Sequence, residues 1–289
     1  MRIFASICII LCSTLSQTSA RGSQQIVNGI SSDIQPFMVS IRHLTMDADR
    51  FGSGHICGGS ILSHNLILTT ASCLIDQDNH FLEIAEISII AGTNRRYEEF
   101  NAVSVFPRAI SIHPNHVVNN IALIETWPIP KDSRNIHPIN MTLEPPIPGD
   151  SCEIYGFGQA LSLTGPAQLQ TGTIQIVDSS ACHGHQVNSL CSSGSTFPCN
   201  GDSGGGLICD EQLAGLIDNI DFDFCRIAED VMHVSYIDIG PYRDWIMEHM
   251  RTIEMTLAGV DVNGGKMRFG AGFLIIIVNF LMIFMLKKM

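Results

Sequence analysis

Residues 201–205 read Gly201-Asp202-Ser203-Gly204-Gly205, a serine set among glycines with an aspartate before it. Glycines let a backbone turn sharply and aim two N–H groups at one point, the geometry that an oxyanion site needs. The same pentapeptide also reads as a tight turn, so its meaning depends on the chain around it. Between about residues 26 and 250 that chain is built of short β-rich runs. Examples are Val39-Ser40-Ile41, Ile61-Leu62, Leu66-Ile67-Leu68-Thr69, Ile87-Ser88-Ile89-Ile90 and Ile174-Gln175-Ile176-Val177. Clusters of Gly, Pro, Asn and Asp separate them, the pattern of an all-β barrel or sandwich. Prolines concentrated from Pro128 to Pro148 suggest an extended linker between two β halves. Tyr242 to Met247 opens a helix with Trp245 and Ile246 on its apolar side.

The ends of the chain differ from its middle. Residues 1–20 read as a secretory signal, with Arg2 as the positive start, Ile3 to Leu11 as the apolar stretch and Thr18-Ser19-Ala20 as the cleavage site. Residues 21–25 then form a short pro-segment, 26–250 the folded domain and 251–268 a stalk. Phe269 to Leu286 is an apolar run whose only strongly polar member is Asn279, and Lys287-Lys288 follow it. As a helix it would reach roughly 27 Å, close to the ~30 Å hydrocarbon core, so a transmembrane helix is expected at 269–286. Asn263-Gly264-Gly265 ahead of that tail is also the layout of a lipid-anchor signal. Both readings predict a cell-surface protein at the plasma membrane, facing outward.

Cysteine and charge narrow the chemistry. Of ten Cys, Cys8 and Cys12 leave with the signal, and the remaining eight contain no CxxC pair, against zinc and thioredoxin-like sites. An even set in a secreted chain predicts disulfides. The net charge of −12 excludes nucleic-acid backbone as a partner. All 28 acids but only 11 bases fall within residues 21–265, so that region carries −17. Asp210, Glu211, Asp218, Asp221, Asp223, Glu229 and Asp230, interrupted only by Arg226, form either a solvated loop or a surface that steers a basic partner. His113 with His116 and His183 with His185 lack the carboxylate of a helical zinc motif, so no metal and no cofactor are expected. Asn140-Met141-Thr142 is a glycosylation sequon in the linker.

The pentapeptide has ordered companions. They are Ile26-Val27-Asn28-Gly29, Cys57-Gly58-Gly59-Ser60-Ile61-Leu62, Leu68-Thr69-Thr70-Ala71-Ser72-Cys73, Asn120-Ile121-Ala122-Leu123, Gly156-Phe157-Gly158 and Trp245. Through them, residues 26–250 resemble the trypsin/chymotrypsin serine proteases. The resemblance implies an all-β fold of two six-stranded antiparallel β-barrels, chymotrypsin-like, with a C-terminal helix. It also implies the disulfides Cys57–Cys73, Cys152–Cys209, Cys182–Cys191 and Cys199–Cys225.

The departures from the family decide the expected function. The resemblance puts the nucleophile at Ser203 with oxyanion-type backbone at Gly201 and Ser203, but the histidine position holds Ser72 and the aspartate position Asn120. A hydroxyl accepts no proton at neutral pH and an amide does not stabilise an imidazolium, and losing the histidine alone costs on the order of a million-fold in rate. The specificity pocket is altered too: Phe197 takes the floor, Asp218-Asn219-Ile220 the wall, and Asp230 a glycine position. Gln25 before Ile26 gives a trypsin-like activator no basic residue, so a zymogen-like latch Asp202–His55–Ser40 is expected by resemblance. The chain is therefore expected to be no enzyme. It would act by binding extracellular proteins, such as active serine proteases or their substrates, as a cofactor, decoy or regulator. The alternative is a weak or atypical serine hydrolase using Ser203.

Overall fold

The structure, a computed structural model, describes residues 26–76, 78–130, 133–158, 167–182, 188–218, 225 and 231–257. An edge strand β1 (Ile30–Ser31) precedes the first barrel, which holds β2 (Met38–His43), a short helix α1 (Leu44–Asp49), β3 (His55–Ser63), β4 (Leu66–Thr69), β5 (Ile87–Ala91), β6 (Val103–Val105), β7 (Pro107–Ile112) and β8 (Ala122–Thr126). The second holds β9 (Ser151–Gly156), β10 (Gln170–Val177), β11 (Ser189–Gly194), β12 (Gly206–Cys209), β13 (Gln212–Ile217) and β14 (Met232–Asp238), and the helix α2 (Arg243–Leu257) ends the described chain.

Both sheets are antiparallel and both close. In the first the order is β6-β5-β2-β3-β4-β8-β7. Phe106 alone separates β6 from β7, so one bent stretch pairs with β5 at its start and β8 at its end. In the second, β9 pairs with both β10 and β12, completing a ring of six strands, and β1 adds to the edge of β10. Full closure leaves few unpaired strand edges.

The hydrophobic pattern follows from where each strand lies. Along β4, Leu66 and Leu68 face the cluster between the barrels while Ile67 faces the first barrel's interior, so every residue of the run is buried. On β13, Leu213 and Leu216 face the shared cluster while Ala214 and Ile217 face the second barrel. Outer strand β10 has one wet face and alternates, with Ile174 and Ile176 in and Thr173 and Gln175 out. On α2, Ile246 and Ile253 recur at helical spacing and are buried in the shared cluster, next to Tyr242.

The proline-rich connection is a packed strap and not a free linker. Ile129 and Ile136 are buried in the first barrel, Ile139 lies in the shared cluster, and Met141 bridges to Leu213 of β13. Helix α2 also runs through residues 251–257, where the sequence suggested a stalk. Four disulfides staple the fold: Cys57–Cys73 in the first half, and Cys152–Cys209, Cys182–Cys191 and Cys199–Cys225 in the second.

One expectation is corrected. No helix among the described residues is long and apolar enough to cross a membrane, so the expected transmembrane helix has no counterpart in the described structure. The run 269–286 itself, like the signal 1–20, the segment 21–25 and Asn263-Gly264-Gly265, lies outside the described residues.

Candidate functional site

The turn that carries Ser203 sits where the barrels meet. Gly201 and Gly204 have φ of +92° and +77°, a region that favours glycine, and a Cβ on Gly204 would lie 2.6 Å from the Gly58 carbonyl oxygen. Strand β3 grips the turn through Gly58 N–H to the Ser203 carbonyl at 2.9 Å, and β13 through Gly204 N–H to the Ile217 carbonyl at 2.8 Å. Within the turn, Asp202 N–H bonds the Cys199 carbonyl at 2.9 Å. Ser203 is buried and Asp202 completely so.

The Asp202 carboxylate fills a slot that only glycines leave open, since a Cβ on Gly156 or Gly158 would collide with it. Its two oxygens accept Gly158 N–H at 2.7 Å and Cys199 N–H at 2.8 Å. The peptide that offers Gly158 N–H also offers the Phe157 carbonyl, which accepts from Arg96 Nη1 at 3.0 Å, so guanidinium and carboxylate polarise one peptide from opposite ends. Burial nevertheless pushes the Asp202 carboxyl up to about 7, against the pull of both N–H donors and of Arg96.

The expected latch is built differently. Ser40 and His55 do meet, Ser40 Oγ to His55 Nδ1 at 2.8 Å, but His55 Nε2 lies 2.9 Å from the Gly201 carbonyl oxygen. The Asp202 oxygens have turned to Gly158 and Cys199, so the histidine holds the backbone of the turn in place of its carboxylate. A carbonyl only accepts, so Nε2 carries the proton and Nδ1 accepts from Ser40 Oγ. Ser40 Oγ in turn accepts from Arg42 Nε at 2.9 Å. Burial, reinforced by the charges of Arg96 and Arg42, holds the imidazole well below its usual pKa and therefore neutral. Arg42 is fully buried, with Nη1 3.2 Å from Asp47, Nη2 3.1 Å from the Arg96 carbonyl and its Cζ over the Phe51 ring.

Across the cleft, Ser72 and Asn120 bond each other. Asn120 Oδ1 accepts Ser72 N–H at 2.8 Å, and Asn120 Nδ2 donates to Ser72 Oγ at 3.1 Å and to Asp218 Oδ1 at 2.8 Å. Ser72 adjoins Cys73, whose Sγ is 3.5 Å from the Ser203 carbonyl oxygen, so the loop carrying Ser72 abuts the turn. Asn120 and Asp218 also line a pocket with Val118, Asn188, Ser189 and Tyr242. A hydroxyl and a carboxamide in this position supply hydrogen bonds but no base at neutral pH.

The other expected positions are scattered. Phe197 is buried among Ile26, Ile154 and Ile217, and its carbonyl accepts Val27 N–H at 3.0 Å. Asn219, Ile220, Asp230 and most of the acidic stretch lie outside the described residues, while Asp210 and Glu211 are the exposed turn between β12 and β13. Asn140 is exposed on the strap. His113 packs edge-on against Tyr242 and Trp245. Asp76, Asp78 and His80 gather in an exposed loop where Asp76 Oδ1 accepts both backbone N–H groups. The buried arginines Arg42 and Arg96 were not anticipated. The one signal was an arginine, Arg42, at the end of the apolar run 38–41.

Residues 26–246 match the family model described as Trypsin. Trypsin of Sarcophaga bullata is 28% identical over 235 residues, 75% of this chain and 87% of the relative. Kallikrein-14 of Homo sapiens is 29% identical over 210 residues, 68% of this chain and 74% of the relative. Trypsin alpha of Drosophila melanogaster is 28% identical over 242 residues, 79% and 89% respectively. With a closed double barrel, four disulfides and a serine turn wedged between the halves, the chain belongs to the trypsin family.

Proposed function

We propose that this chain is a non-catalytic serine-protease homologue that works outside the cell by binding protein. The observation that carries the reading is the Ser72–Asn120 pair. These residues stand, by motif, where the family has its histidine and aspartate, and their polar groups are spent on one another, on Thr70 and on Asp218. Ser203 then has oxyanion-type backbone around it, at Gly201 and Ser203, while the family's base and orienting positions hold a hydroxyl and an amide. The specificity pocket is unsuited to a basic substrate side chain, because its floor position is Phe197, buried in the second barrel. The turn needs no cleavage before Ile26 to be held, since His55 and β3 and β13 already grip it.

The partners are extracellular proteins, active serine proteases or their substrates among them, and the domain acts on them as a cofactor, decoy or regulator. It is held at the cell surface through its C-terminal segment, with Asn263-Gly264-Gly265 as the lipid-attachment region. One experiment on cells displaying the full chain tests both parts. A fluorophosphonate probe should leave Ser203 unlabelled under conditions that label an active trypsin stoichiometrically, and phosphatidylinositol-specific phospholipase should release the protein. Stoichiometric labelling would instead establish the atypical-hydrolase reading, and retention after phospholipase would remove the lipid anchor.

A further inference from the structure

The Asn120 amide has its orientation fixed from one side. Ser72 N–H can only donate, so the atom 2.8 Å from it is the amide oxygen, and the NH2 group therefore faces Ser72 Oγ and Asp218 Oδ1. The 2.8 Å contact to Asp218 is thus a charge-assisted hydrogen bond that exists because residue 120 is an amide. A carboxylate at 120 would set two negative oxygens at that distance, and like charges that close cannot both ionise.

We propose that Asp218 is the residue that bars this cleft from carrying the family's aspartate: the carboxylate belonging to the site has moved from position 120 to position 218. This rests on the reading of Asn120 as the family's aspartate position, and deepens it. The two departures at 120 and 218 are then one substitution in chemical terms, each tolerated only with the other. Restoring a histidine at 72 and an aspartate at 120 would not rebuild a charge relay, because Asp218 would force a proton between the two carboxyls and turn the restored aspartate into an acid. Among the described residues, the polar groups that line the pocket with Asp218 and Asn120 are Asn188, Ser189, Ser235, Tyr236 and Tyr242, and none of these is a cation. Burial first, and then the charges of Asp238 and Asp218, hold the Tyr242 phenol above its usual range.

The test uses the purified domain and reads thermal stability against pH for wild type, Asn120→Asp, Asp218→Ser and Asn120→Asp with Asp218→Ser. Asn120→Asp should melt about 5–10 °C below wild type at pH 8 and recover most of that loss by pH 5, since a carboxyl pair with a raised pKa loses stability as pH rises through it. Adding Asp218→Ser should abolish that pH dependence. If Asn120→Asp does not fold at pH 8, the double variant must fold for the proposal to stand. Wild-type stability for Asn120→Asp at every pH, a loss independent of pH, or a double variant as unstable as the single one would overturn it. None of these readouts uses Ser203, so fluorophosphonate labelling of the wild type judges the functional reading separately.

Discussion

In the run Arg42, Ser40, His55, Gly201, each hydrogen bond fixes the direction of the next, beginning from a guanidinium that can only donate and ending on a carbonyl that can only accept. The imidazole in its middle must be neutral, and that makes a prediction at the scale of one side chain. An unfolded His55 titrates near 6.5, while the folded one titrates well below. The unfolded chain therefore binds the extra proton as pH falls, so the stability that His55 contributes is whole above pH 6.5 and declines below it. The stability difference between wild type and His55→Gln, measured by denaturant unfolding, should shrink by about 1.4 kcal/mol for each pH unit below 6.5 and stay flat above it. Asp202 slopes the other way: its carboxyl is raised to about 7, so its contribution is whole below 3.8 and lost as pH rises through 7. The pairing of Ser40 with His55 was legible in the motifs. The swing of Asp202 onto Gly158 and Cys199 was not, because it depends on which side of a fully buried slot the carboxylate enters.

At the scale of elements, the apolar runs located strands well because barrels sharing an interface bury both faces of the strands between them. Leu66 to Thr69 and β4 coincide residue for residue. What escaped was α1, since six residues with no buried member carry no helical pattern to read. The strap from Pro128 to Pro148 reads in sequence as an extended linker for a related reason: its isoleucines are spaced irregularly, and only three-dimensional packing assigns them to cores. The hairpin between β12 and β13 makes the second prediction. Its turn residues Asp210 and Glu211 have φ of +49° and +60°, which costs a side chain such as glutamate roughly 1 kcal/mol or more. Glu211→Gly should therefore raise the stability of the domain by about 0.5–1 kcal/mol, read from the denaturant midpoint, because the left-handed strain it relieves outweighs the added freedom of the unfolded chain. A loss of stability would mean that the Glu211 side chain holds contacts worth more than the strain.

For the molecule as a whole, family membership was readable from spaced short motifs, because cysteines, glycines and the serine turn recur at positions that the double barrel holds apart. The electrostatic interior was not. Arg42 and Arg96 become neighbours only when β2 pairs with β5 inside the first barrel, and Arg96 then reaches across to the Phe157 carbonyl of the second half, contacts that no local pattern encodes. The disulfides have a topological consequence of their own. Cys57–Cys73 closes within the first half of the chain, and the other three close among residues 152–225 of the second. As a covalent graph the domain is two cross-linked blocks joined by a single thread, the strap. One cut between Pro128 and Pro148 should leave a native particle of unchanged size on gel filtration, held by the shared apolar cluster, yet run as two separate fragments on a denaturing gel without reductant. A nicked chain migrating there as one band would show that some bond ties the blocks together. Once the strap is cut, the blocks cohere only through non-covalent contacts, the shared apolar cluster and the hydrogen bonds across it, so a detergent, not a reductant, is the reagent that should part them.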